Sequence, residues 1–233
     1  MRRALSITTL LLGVACGAQG QDTTDPFVVY PAPLARFEYR GAIGIDLTVL
    51  PRLVVEEEVR QNPMIDYRAR FGLPWNFSLH GYLGTNVLTT IGALGAGWNL
   101  QAGPSSCGVG AELAYWYGFA TFEGFDVTAS SWLLRPSASV GVEFERVRLS
   151  ARGALQIVTA RTTQSDGLDV SSQKNQLTGF SLGFVVEQPF FGSTHAAMGM
   201  TIHRSRAMYQ AWLAFTAFNE YLLYPEVTFA IIH

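Results

Sequence analysis

The chain has 233 residues, enough for one domain with a full core. It is 48% apolar and only 15% charged, against roughly 25% charged in an average soluble domain, so disorder is excluded. A formal net charge of -2, with Lys174 the only lysine, leaves no basic face for nucleic acid, and 2 cysteines cannot build a disulfide scaffold.

The N-terminus has the layout of an export signal. Arg2 and Arg3 precede an apolar stretch from Leu5 to Ala15, and small residues follow to Gly20. That stretch is shorter than the roughly 20 residues a spanning helix needs. Cleavage is expected near Ala18 or Gly20. Cys16 offers a second processing route, because Gly13-Val14-Ala15-Cys16 resembles a lipobox. The expected division is a signal over 1–20, a periplasmic lead over 21–35 and one β-domain over 36–233.

Beyond the signal no apolar stretch is long enough for a spanning helix, so any crossing must be made by strands. Buried backbone groups in hydrocarbon must pair within the protein, and such strands must then close on one another. Phe37 to Val49 is the first predicted strand. Phe37, Tyr39, Ile43, Ile45, Leu47 and Val49 share one face, and Glu38, Arg40, Gly44, Asp46 and Thr48 share the other. A period of two marks a strand with two unlike faces. Pro51 ends it, and Leu53 to Arg60 breaks the alternation with three consecutive glutamates. Strand character resumes from Tyr67 to Leu73, and Pro74-Trp75-Asn76 reads as a turn.

The next strand points Phe77, Leu79, Leu83 and Val87 outward and Ser78, His80 and Tyr82 inward. Ile91 to Leu100 is Gly-rich, and Gln101 to Ser106 is a turn. Val109 to Phe119 follows with a regular alternation, Val109, Leu113, Tyr115, Tyr117 and Phe119 facing away from Glu112 and Trp116. Thr121 to Trp132 and Arg161 to Gln176 read as long outer loops. Between them, Ala138 to Phe144 and Val147 to Ile157 form a hairpin with Glu143, Glu145, Arg148 and Arg152 on its inner side. Arginine suits such a place because its planar fork meets carboxylates with several donors. Phe180 to Val186, Ala196 to Ile202, Tyr209 to Ala217 and Val227 to Ile231 complete the pattern. Eleven segments result, whereas closed antiparallel membrane barrels normally have an even number, so ten strands are expected, with twelve as the alternative.

The export signal, the successive hairpins and a terminal strand with Val227, Phe229 and Ile231 at alternate positions resemble the bacterial outer-membrane β-barrel class, over Phe37 to His233. His233 takes the last place, where the class usually has an aromatic. The resemblance implies a closed antiparallel transmembrane β-barrel in the outer membrane, with lipid as its partner.

Among chemistry-bearing residues, His203 and Ser205 share a face at a spacing of two. They resemble the His-x-Ser element of outer-membrane lipid A deacylases, in which histidine activates the serine to attack an ester. Arg206-Ala207-Met208 departs from that motif. His80 has no partner histidines at ligand spacing, and no cofactor or metal is expected. The expected lumen lining is Glu38, Arg40, Asp46, His80, Glu112, Glu143, Glu145, Arg148 and Arg152. Three roles fit such a barrel: passive transport of small solutes along a charged path, adhesion or surface-ligand binding through the outer loops, and lipid deacylation by His203 and Ser205. A secreted β-sandwich that never meets a membrane is the fourth.

Overall fold

The computed structural model describes residues 27–51, 61–122, 125–192, 194–206 and 220–233. Alternation becomes strand throughout. The strands are β1 (Tyr39–Val49), β2 (Gln61–Gly72), β3 (Phe77–Thr85), β4 (Thr89–Ala102), β5 (Ser105–Phe122), β6 (Phe125–Phe144), β7 (Val147–Ser165), β8 (Leu168–Phe191), β9 (Thr194–Ser205) and β10 (Leu222–Ile232). Each pairs antiparallel with its sequence neighbours, and β1 pairs with β10 from Ala42↔Ile232 to Thr48↔Glu226. The ring is therefore a closed ten-stranded barrel, which leaves none of these strands with an open hydrogen-bonding edge. The expected segments Leu53 to Arg60 and Tyr209 to Ala217 lie outside the described residues.

The start of β1, the described residues that precede it and the end of β10 lie at one rim, here the terminal rim. It carries the one-turn helix Pro74–Asn76 and tight connections at Gly103 and at Glu145, whose φ is 52°. At the far rim, Asp166 and Gly167 turn with φ of 51° and 76°, as a two-residue hairpin with both residues left-handed requires.

The two expected outer loops are corrected. Thr121 to Trp132 is almost entirely β5 and β6, and Arg161 to Gln176 is β7 and β8 apart from that turn. Their Thr and Ser residues are polar on both faces, which looks like a loop in a one-chain pattern. They nonetheless pair residue for residue, as in Thr162↔Ser172 and Ala129↔Thr163. A polar strand is stable wherever both of its faces are wet and its ladder is complete.

The outer wall is apolar. Ile43, Ile45, Ile65, Leu83, Leu94, Val140, Phe184, Met200 and Val227 are all exposed. Aromatic residues gather toward each end: Tyr39, Phe77, Trp98 and Phe144 on the terminal side, Tyr117, Phe119 and Trp132 on the far side. β1 to β8 place no charged side chain on this face between the two groups, and on β9 Arg204 stands against the Tyr221 ring.

The bore is filled in layers. On the far side, Met64, Ile91, Ala93, Ala114, Trp116, Leu133 and Val158 form a buried apolar cluster on the inner wall. A register shift at Trp132/Leu133 changes the phase of β7, so that Val158 and then Arg161 and Thr163 face inward. Charged residues line the middle, around an open space. At the terminal rim the bore is occupied by residues 27–34.

Candidate functional site

The lead expected over 21–35 turns back into the barrel over its described part. Phe27, Tyr30, Ala32 and Leu34 are buried and form their own cluster, while Val28 packs on Ala42, Ala197, Ala230 and Ile232 of the wall. A chain segment without secondary structure brings unpaired backbone groups into the bore, and each needs a partner. Glu187 on β8, 1% exposed, supplies acceptors. Its carboxylate takes the N–H of Val28, Val29 and Tyr30 at 2.7, 2.9 and 2.6 Å. Arg70 on β2, 2% exposed, supplies donors to the carbonyls of Tyr30 and Ala32 at 2.6 and 2.5 Å. Its guanidinium also lies 5.6 Å from the Phe27 ring centroid, and that of Arg148 lies 5.0 Å away. The Tyr30 hydroxyl donates to the Pro104 carbonyl at 3.1 Å, and burial raises its pKa. Gly141 makes room for the ring: a Cβ there would lie 2.5 Å from it. Residues 27–34 are thus a stopper held by side chains from widely separated strands.

Behind the stopper lies a chamber of about 220 Å³. On one wall Asp46 accepts two bonds from Arg68 at 2.7 and 2.8 Å, one from Tyr82 at 3.1 Å and one from Thr228 at 2.5 Å. Arg68 also pairs with Asp66 at 2.5 Å. Beside them Glu226 faces His203 at 3.6 Å and accepts from Thr48 at 3.1 Å. Glu112 lies on the facing wall, between Arg135 at 2.9 Å and Arg152. β1 and β6 are five places apart in a ring of ten, so these two groups oppose each other across the bore. Tyr82 stands between them, its ring centroid 5.6 Å from Arg68 and 6.0 Å from Arg135.

The expected lining residues fall into three places. Asp46, His80, Glu112 and Arg152 border the chamber. Glu143 and Arg148 pair at 2.7 Å beside the stopper, and Glu38 pairs with Arg40 at the terminal rim while accepting from the Ala35 N–H at 2.8 Å. Glu145 is exposed in the β6–β7 turn. Sequence reasoning missed Arg68, Arg70, Arg135 and the clamp made by Glu187. Arg68 and Arg70 were legible, since they alternate with Tyr67, Ala69 and Phe71. Nothing local marks Glu187 as a partner of a segment some 157 residues away.

His203 and Ser205 are both buried on the inner face. Ser205 donates to the Thr178 carbonyl at 3.3 Å. Neither ring nitrogen of His203 has a hydrogen-bond partner, and the ring stacks on Tyr224 at 4.9 Å. The carboxylate beside His203 is Glu226, at 3.6 Å, whereas Glu187 has both oxygens on the stopper. No serine–histidine relay is formed. Among the described residues, no group of three His, Cys, Asp or Glu is placed to hold a metal.

No protein-family model matches the chain, and no curated protein matches it either. Solved structures do. The translocator domain of autotransporter NalP from Neisseria meningitidis is 11% identical with a TM-score of 0.45, over 86% of this chain and 89% of that one. Outer-membrane expressed OmpT of Vibrio cholerae is 8% identical with a TM-score of 0.23, over 84% of this chain and 96% of that one. The similarity is one of barrel fold.

Proposed function

We propose that the chain is an outer-membrane barrel that passes small solutes along its bore and is held shut at the terminal rim by residues 27–34. Support for the membrane comes from the outer wall. At about 3.3 Å per residue and a tilt of about 40°, Val109 to Phe119 covers roughly 25 Å, the height of an apolar barrel belt. Such a face is costly in water and at home among acyl chains. The terminal rim would then face the periplasm, with Asp166-Gly167 outside. Heat-modifiable migration and recovery with the outer-membrane fraction test this placement.

One observation carries the solute path: a chamber bordered by charged side chains lies directly behind a segment that belongs to no strand. A permanently closed barrel has no need of a removable closure, since side chains alone can fill a bore of ten strands. Swelling of proteoliposomes in an isotonic neutral sugar tests it. The Glu187→Ala barrel should swell at least tenfold faster than wild type, and equal rates would count against the path.

A second reading rests on strand length. β5 to β8 run for 18, 20, 19 and 24 residues, whereas a membrane crossing takes about 10. Their far halves would stand beyond the lipid as a polar sheet, a surface for adhesion or ligand capture. Loss of surface binding on trimming 160–172, with swelling unchanged, would favour it.

A further inference from the structure

The chamber has an imbalance that points to a guest. On the β1 side Asp46 is filled by Arg68, Tyr82 and Thr228. Arg68 is shared with Asp66, whose Oδ1 is buried with no partner among the described residues, and Glu226 faces His203, so this wall is acidic. On the β6 side two guanidiniums share the one carboxylate of Glu112. Arg135 Nε is buried with no partner, and the Arg152 side chain is 40% exposed within the bore. Arg152 also takes Ser137 as a partner at 3.1 Å. On this wall about one positive charge is in excess, across the bore from the acidic one, and it is presented by planar forks suited to a carboxylate.

Uncharged polar groups share the rest of the lining with Gly, Ala and Val residues. Asn99, Ser137, Gln156, Ser181 and Thr201 line the same space. Hydroxyl and amide groups can each donate or accept, so they match the hydroxyls of a sugar. At 220 Å³ the space is smaller than the roughly 300 Å³ at which pockets begin to take drug-sized ligands. One sugar ring is the natural scale.

We infer that the chamber binds a small hydroxylated carboxylate of sugar-acid size, its carboxylate seated between Arg135 and Arg152. A monoanion balances the surplus, whereas a doubly charged phosphate would exceed it. This rests on the proposed solute path for the guest's entry, but affinity is measured without any flow. Full-length barrel refolded in micelles is titrated calorimetrically with sodium glucuronate, glucose and sodium acetate, in the wild-type and Glu187→Ala forms. Glucuronate should saturate in at least the Glu187→Ala form, at least tenfold tighter than glucose, which lacks the charge, and than acetate, which lacks the hydroxyls. Arg152→Gln should weaken it at least tenfold, Arg152→Lys less, and the exposed-turn change Glu145→Gln not at all.

Heat-modifiable migration confirms that each variant is folded. Saturation with these ratios in either form supports the site. No saturation in both forms, glucose or acetate binding as tightly, or an unaffected Arg152→Gln would overturn it. A Glu187→Ala barrel that binds glucuronate yet never swells liposomes would reject the solute path and leave the site standing.

Discussion

Glu187 and Arg70 hold the same residue by its two backbone groups. The Tyr30 N–H donates to Glu187 at 2.6 Å, and the Tyr30 carbonyl accepts from Arg70 at 2.6 Å. The two side chains come from β8 and β2, four places apart around a ring of ten. Two buried, opposite charges are thus joined through one peptide segment instead of directly. Removing the segment leaves both facing an emptied bore.

Glu187→Ala should therefore release the stopper. A hydrogen bond to a charged group contributes about 1.5–3 kcal/mol, and Glu187 accepts three. Even with strong non-additivity, a loss of about 3 kcal/mol shifts the closed-to-open ratio by roughly a hundredfold. Limited proteolysis reads this as at least tenfold faster cleavage within 27–34, with the barrel core intact. Unchanged cleavage would contradict the clamp.

Gly141→Leu tests the stopper without touching a charge. Even a Cβ there meets the Tyr30 ring at 2.5 Å, and a leucine fills the space where the ring lies. The stopper should be expelled and the barrel should still close, because Gly141 lies within the ladder of β6 with Ser106 and Ser150 opposite. Proteolysis should resemble that of Glu187→Ala. A protected stopper would show that 27–34 does not depend on this contact.

Asp46→Ala should destabilise the fold far more than loss of an exposed charge. Arg68 would keep only Asp66 among its carboxylate partners, and Thr228 and Tyr82 would lose an acceptor. Removing one partner of a buried pair costs about 3–5 kcal/mol. Urea unfolding in phospholipid vesicles should show that loss, against less than about 1 kcal/mol for Glu145→Ala in its exposed turn.

The outer wall predicts a cost that depends on lipid. Leu94 is 76% exposed on β4. Leu94→Arg should cost about 2–4 kcal/mol in a bilayer, as arginine does near the midplane of an outer-membrane barrel. On a water-facing sheet the same change would be neutral or helpful. Stability unchanged in vesicles would place this face in water.

The sequence was most legible where both faces of a strand differ. Ile43 and Ile45 against Gly44 and Asp46 define β1 without any structure, whereas an even strand count leaves ten and twelve open, and the ring itself has ten. It was least legible where chemistry is spread across distant strands. Thr162 to Ser165 and Ser172 carry no apolar side, so their pairing is invisible to a hydrophobic period. Phe27 to Leu34 reads as an ordinary proline-bearing lead, because a segment that is buried by being swallowed needs no periodicity. Its partners, Arg70 and Glu187, differ from other inward charges only in what lies opposite them. His203 and Ser205 show the converse: a spacing of two gave them one face, but the Thr178 carbonyl and the Tyr224 ring decide what each does.

Single-channel recording in planar bilayers tests the stoppered path most directly. Wild-type barrels should be silent for most of the record, with brief openings, and Glu187→Ala and Gly141→Leu should each give long-lived openings of the same unit conductance. Silence from all three, or equal open time in wild type and both variants, would contradict a bore closed by residues 27–34.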